Sequence, residues 1–177
     1  MKILSVLLVI FPLVAFSQQS QPDLNNMKIE RVQVSSHDVL TIRETCTMET
    51  IGPTLGKLYG EIGKYIAEHG LQMAGPVFAI YLSSDLQKIV LEAGVPVNKT
   101  SESTDRIRAW KTVAGNAVKA SYYGDYSFLP DAYPLIQKWM ANEKLKQTGS
   151  PWEVYVTDPT TVKDMNDCLT EIYYPVL

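Results

Sequence analysis

Hydrophobic and polar positions follow two periods along this chain, and the periods switch in the same order twice. Lys28–Ser35 spaces Ile29, Val32 and Val34 with polar residues, which predicts an edge strand. Residues 39–47 alternate more cleanly, with Leu40 and Ile42 on one face and Thr41 and Arg43 on the other. The period then lengthens. Leu55, Leu58, Tyr59, Ile62, Tyr65 and Ile66 fall at steps of three and four and form one apolar stripe on a helix. Pro53 suits its first turn and Gly70 its stop. Gly56, Gly60 and Gly63 weaken such a helix by about 1 kcal/mol each relative to alanine. This predicts that the helix relies on packing and that its small residues let it approach a sheet. Two short apolar runs, Pro76–Ser83 and Ile89–Val97, read as further strands. Residues 98–105 are polar and aperiodic, as in a structureless linker.

Beyond residue 105 the order restarts. Residues 113–123 read as one or two strands, with a bend at Gly115-Asn116. Residues 129–146 read as a helix, with Pro130 near its start and Gly149 beyond its end. Its apolar rows are Tyr133, Ile136 and Met140, and Leu135 and Trp139. Residues 151–156 and 168–176 read as strands. Gly75-Pro76-Val77-Phe78-Ala79-Ile80 aligns with Ser150-Pro151-Trp152-Glu153-Val154-Tyr155, and 91–97 aligns with 170–176. The second alignment places Glu92 and Glu171 at matching positions.

This recurrence predicts an α+β fold of duplicated β-α-β-β repeats, about 37–97 and 113–177. The repeats would join edge to edge in an antiparallel sheet with both helices on one face. The other face would be a concave surface between the halves, where pockets form. Phe78 would stand opposite Glu153.

Glu153 interrupts an apolar strand, Trp152-Glu153-Val154-Tyr155-Val156. Alternation puts it on the face of Tyr155, away from Trp152 and Val154. One reading is a carboxylate facing water from a half-buried strand. The other is a carboxylate among aromatic faces in a cleft, a receptor for something cationic and flat. Tyr155, Phe78, Tyr123 and Trp139 are the candidate aromatic partners, and Trp139 equally fits ordinary core packing.

Composition narrows these readings. The chain has 177 residues, 46% hydrophobic and 20% charged, which suits one packed domain or two small halves. A net charge of −3 without a basic block disfavours nucleic acid as a partner. His37 and His69 are isolated and neither cysteine lies in a CxxC, so no metal or other cofactor is expected. Lys2, the apolar run Ile3–Phe16 and the small residues Ala15 and Ser17 form a secretory signal peptide pattern over residues 1–17. It predicts export to the periplasm or medium, with no membrane contact after cleavage. Residues 18–36 then form a flexible leader and the edge strand. In an oxidising compartment, Cys46 and Cys168 fit one disulfide as well as two buried thiols.

Tyr123-Gly124-Asp125-Tyr126, the helix ending Ile136-Gln137-Lys138-Trp139-Met140, the strand Trp152–Pro159 and the terminal Leu169–Val176 together resemble a GyrI-like small-molecule-binding domain. Such domains bind effectors in AraC- and MerR-type multidrug-sensing activators of bacteria. The resemblance spans roughly residues 37–176. It implies two repeats about a pseudo-two-fold axis, a ligand cleft between them, and a cleft-floor glutamate that meets lipophilic cations: here Glu153, beside Tyr155. Some relatives hydrolyse cyclopropane-containing compounds, so Glu153 as general acid or base is an alternative. A cleft accepting a peptide edge is another. Thr45-Cys46-Thr47 departs from the family turn, where glycine stands. The export signal, with no DNA-binding segment, predicts small-molecule binding rather than transcriptional control or gyrase inhibition.

Overall fold

The structure is a computed structural model that describes residues 24, 27–83, 85 and 87–177. The signal-peptide segment and most of the leader lie outside the described residues. The elements are β1 (Lys28–Val34), β2 (Asp38–Cys46), α1 (Ile51–Glu68), β3 (Phe78–Tyr81), β4 (Ile89–Pro96), β5 (Arg108–Lys111), β6 (Gly115–Tyr123), α2 (Ala132–Asn142), β7 (Trp152–Tyr155) and β8 (Leu169–Pro175). The strands form one antiparallel sheet in the order β1-β6-β8-β7-β3-β4-β2-β5. No helix among the described residues is long and apolar enough to cross a membrane.

The repeats are β2-α1-β3-β4 and β6-α2-β7-β8, and they meet where β3 pairs with β7. Their correspondence is residue by residue. The same number of positions separates Tyr59 from Tyr133, Gly70 from Lys144, Gly75 from Gly149 and Tyr81 from Tyr155. Both helices end in the same way. Gly70 takes φ +59° while the Leu71 N–H reaches the Ile66 carbonyl, and Lys144 takes φ +56° while the Leu145 N–H reaches that of Met140. With Lys144 in the left-handed position, α2 stops at Asn142, before the end at residue 146 that the sequence suggests. Its start is also later than the pattern suggests. Pro134 has no N–H to give to Pro130, so Tyr126–Asp131 winds as a 3-10 turn before the α-helix begins.

Two segments differ from the sequence reading. Strand β5 was not foreseen, because four residues are too few to show a period. The linker has no regular structure but is tied down. The Tyr65 hydroxyl donates to the Glu102 carbonyl, and Arg106 bonds Glu61 and Glu44.

β1 pairs with β6 and β2 with β5 on a single register, from Lys28↔Ser121 to Thr41↔Arg108. The intervening linkers also bond, Thr112 N–H to the His37 carbonyl and His37 N–H to the Thr112 hydroxyl. β1–β2 and β5–β6 are therefore two long bent strands paired along their length. In a flat sheet β1 and β2 would lie six strand spacings apart, about 29 Å. Val34 and Asp38 are joined by only three residues, a span of at most about 14 Å. The sheet must curl until its ends meet.

The curl runs away from the helices. Val39, Phe78 and Ala117 are buried yet belong to neither helix-facing core. With no helix on that face, the sheet covers them by folding over itself. The helix-facing cores are separate. One joins Leu40, Ile42, Leu91 and Ala93 to Leu58, Ile62 and Ile66 of α1. The other joins Val118, Ala120, Ile172 and Tyr174 to Ile136 and Met140 of α2. Cys46 lies in the first core, and Cys168 sits 3.9 Å from the Met165 sulfur. Both cysteines are buried free thiols, so the disulfide option does not hold.

On the free face the Phe78 ring lies across Gly94. A Cβ at Gly94 would come within 2.2 Å of it. Glycine is required here by close approach rather than by its backbone angles. Gly94→Ala is expected to lower the urea-unfolding free energy by about 1–3 kcal/mol, and adding Phe78→Leu should restore part of the loss. Additive costs would show that the ring does not press on this position.

Candidate functional site

The cleft opens on the helix face of the sheet, not on the free face where the sequence reading set it. α1 packs over β2 and β4, and α2 packs against β6, so the central strands β3 and β7 lie between the two helices and are reached by side chains such as Tyr59 and Tyr133. The gap is a trough of about 1470 Å³. Gly52, Leu55, Gly56 and Tyr59 line one wall, and Tyr126, Pro130, Tyr133 and Pro134 the other. Tyr81, Glu153 and Tyr155 form the floor. Leu82 and Val156, each following a central strand and each about 40% exposed, stand at the rim.

The register of the central pair explains the floor. Ala79 stands directly opposite Glu153, flanked by Phe78↔Val154 and Ile80↔Trp152. The pseudo-two-fold axis passes through this pair, so the counterpart of Glu153 is Ala79, not Phe78. The sequence alignment was one residue out, and a shift of one in a strand moves every side chain to the other face. The counterpart of Phe78 is Trp152, which stacks on Tyr173 on the free face at 4.9 Å between ring centres. Ala79 is fully buried and small, which leaves room beside it for a carboxylate.

Glu153 is 3% exposed and bonded by three phenols. Tyr133 donates to Oε1 at 2.5 Å. Tyr155 and Tyr81 donate to Oε2 at 2.7 and 3.0 Å, and their hydroxyls lie 3.0 Å apart. Tyr155 and Tyr81 are pseudo-symmetric counterparts. So are Tyr133 and Tyr59, but the Tyr59 hydroxyl donates to the Phe78 carbonyl at 2.9 Å. Burial raises the Glu153 carboxyl above the ordinary carboxylate range, and the bonds from Tyr133, Tyr155 and Tyr81 pull it back. Burial, reinforced by the nearby carboxylate, pushes Tyr81, Tyr133 and Tyr155 far up, so all three keep the protons they donate. Tyr126, edge-on to Tyr155 at 5.8 Å, is pushed up to about 12 by burial.

Among the described residues, those lining the trough include two carboxylates, Glu153 and Asp158, and no lysine, arginine or histidine. Asp158 sits at the rim, held below the usual range by the Thr160 hydroxyl and N–H.

Of the residues proposed from sequence, Glu153 and Tyr155 meet in the trough. The other three do not line it. Phe78 points to the free face. Tyr123 ends β6 on that same face, 57% exposed. Trp139 packs against the second core. Tyr59, Tyr81, Tyr126 and Tyr133 were missed. Tyr59 and Tyr133 sit within apolar helix stripes, where a tyrosine reads as core. Tyr81 carried a signal that the shifted alignment hid: Ala79-x-Tyr81 repeats the spacing of Glu153-x-Tyr155. Glu92 and Glu171 both face away from the trough. Glu92 accepts from Thr41 and Arg43, and Glu171 accepts from Lys119 and Tyr173. Among the described residues no three His, Cys, Asp or Glu side chains gather as metal ligands.

Comparison with solved structures finds the same fold. The C-terminal domain of EcmrR superposes with a TM-score of 0.74 at 22% identity, over 86% of this chain and 98% of that one. EcmrR in its DNA complex gives 0.76 at 22% identity over 85% of this chain, which spans 57% of that longer chain. SAV2435, bound to tetraphenylphosphonium, gives 0.54 at 13% identity, over 85% of this chain and 94% of that one. A protein of Listeria innocua described as a hydrolase gives 0.61 at 15% identity, over 85% and 92%. No curated protein matches the sequence. The family model of the GyrI-like small molecule binding domain matches residues 27–177, and with it the two-repeat fold and central trough place this chain in the GyrI-like family.

Proposed function

We propose that this protein binds lipophilic, cationic aromatic molecules in the trough and does so after export from the cytoplasm. The observation that carries the ligand reading is Glu153, a buried carboxylate at the floor of a trough whose described lining residues include several aromatic rings and no cationic side chain. Its hydrogen-bonding capacity is largely taken by three tyrosines, which suits cations that offer charge and area but no N–H, such as quaternary ammonium or phosphonium ions. The tetraphenylphosphonium held by SAV2435 is a cation of this kind. Hydrolysis by Glu153 has less support, because a general base must reach a water proton and three phenols already occupy this carboxylate. Export rests on the pattern of Lys2, the apolar run and Ala15-Phe16-Ser17.

The ligand reading is tested by calorimetric titration of tetraphenylphosphonium and the neutral tetraphenylmethane analogue with a solubilising hydroxyl. Glu153→Gln should weaken the cation by about 1–3 kcal/mol and the neutral compound much less, since area burial survives. Equal losses for both would mean that Glu153 shapes the trough without reading charge. The pH dependence has a defined sign. A bound cation favours the ionised carboxylate, so affinity should rise with pH through the titration of Glu153 and flatten above it. Without ligand the opposite holds for stability. Burial raises the folded-state value above the unfolded one, so between the two the folded protein holds more protons and stability falls as pH rises. In thermal melts the advantage of Glu153→Gln over wild type should therefore grow from the ordinary carboxylate range upward. An advantage that shrinks with pH would mean that the three phenols outweigh burial. Sequencing of exported material should begin at Gln18; an intact Met1 on soluble cytoplasmic protein would remove the export proposal.

A further inference from the structure

The two walls of the trough occupy corresponding sequence positions but are built differently, an α-helix on one side and the 3-10 turn Tyr126–Asp131 running into α2 on the other. Gly52 and Gly56 of α1 correspond to Tyr126 and Pro130 in the second repeat, and Gly60 corresponds to Pro134. The sequence suggested that the α1 glycines allow close packing against the sheet. They do not: a Cβ at Gly52, Gly56, Gly60 or Gly63 would meet nothing within 4 Å. Outside the helix itself nothing requires them small, although glycine weakens a helix relative to alanine; Gly52 alone has a local reason, since it precedes Pro53 and a Cβ there crowds the proline ring. Gly52 and Gly56 face the trough.

The floor is lopsided in the same sense. Oε1 of Glu153 is capped from the α2 side by Tyr133. On the α1 side the corresponding Tyr59 hydroxyl is turned to the Phe78 carbonyl, and the strand position opposite Glu153 holds only Ala79. The carboxylate is therefore capped by a helix tyrosine on the α2 side and by none on the α1 side, the side on which Gly52 and Gly56 line the trough.

We propose that the ligand sits off the pseudo-two-fold axis, in the α1 half of the trough, and that Gly52 and Gly56 set how bulky it can be. This deepens the cation-binding reading and rests on it. The ligand class it selects is a rigid cation of several aromatic rings, with its charge toward Glu153, one face on Tyr59, and its bulk in the volume that side chains at 52 and 56 would fill. A leucine at 56 leans toward the preceding turn, over Gly52, so it extends into that volume from a Cβ that itself meets no atom beyond its own helix within 4 Å.

The test compares Gly56→Leu, Gly52→Leu and, outside the trough on the same helix, Gly63→Leu, each titrated with tetraphenylphosphonium and with the single-ring phenyltrimethylammonium. Gly56→Leu and Gly63→Leu should keep or raise the melting temperature, as expected for glycine replaced in an open stretch of helix, whereas Gly52→Leu, placed directly before Pro53, should lower it somewhat. Gly56→Leu and Gly52→Leu should weaken tetraphenylphosphonium at least tenfold and phenyltrimethylammonium no more than about threefold. Gly63→Leu should change either affinity by less than about threefold. Unchanged tetraphenylphosphonium binding in Gly56→Leu and Gly52→Leu would overturn the off-axis seat, as would an equal loss in Gly63→Leu. A lower melting temperature in Gly56→Leu would show that this position is not open and would overturn the proposal. Wild-type protein that binds neither cation would overturn the reading of the trough itself, an outcome distinct from wild-type binding with indifferent variants.

Discussion

A carboxylate removed from water at the centre of the molecule is the constraint on which the rest depends. An isolated buried charge is very costly unless it is hydrogen-bonded. Three phenol hydroxyls drawn from three elements offset part of that cost for Glu153: Tyr133 of α2, Tyr81 of β3 and Tyr155 of its own strand. These bonds tie the second helix to the floor and the two repeats to each other. They also hold the tyrosines with their rings toward the trough. Supporting the charge and presenting aromatic surface are thus done by the same side chains.

The duplication supplies this arrangement and a single substitution breaks it. On the axis a residue faces its own counterpart, and two carboxylates there would repel each other in a buried site. Ala79 opposite Glu153 removes the conflict and leaves one charge in an otherwise paired framework of Tyr81 with Tyr155 and Tyr59 with Tyr133. The asymmetry spreads outward, because only one helix tyrosine can reach the carboxylate. The walls repeat it, with glycine on α1 and tyrosine and proline on the opposite side.

The trough exists because the sheet curls. Short linkers force β1–β2 and β5–β6 to pair as long bent strands, closing the sheet on its free face. The helices ride on the convex side and are carried apart over the centre. A flat sheet would let them approach across β3 and β7 and cover Glu153 completely. The closure also buries Phe78, Val39 and Ala117 on a face with no other cover.

The sequence by itself determined the β-α-β-β order, the duplication, both helix stripes and the anomaly of Glu153 beside Tyr155. Each of these is a local periodicity or an outlier from one, and local periods follow from backbone geometry alone. Strand register, sheet curl and the choice of face were decided only by tertiary structure. Whether Phe78 or Ala79 faces Glu153 depends on a single residue of shift. That shift is settled by Gly94 admitting the Phe78 ring and by Glu153 needing the small Ala79 beside it. Tyr59 and Tyr133 read as core because a tyrosine in an apolar stripe carries no local mark of what its hydroxyl will meet. Their acceptors, the Phe78 carbonyl and the Glu153 carboxylate, lie 19 and 20 residues away in sequence and come within reach only once the helices pack on the sheet.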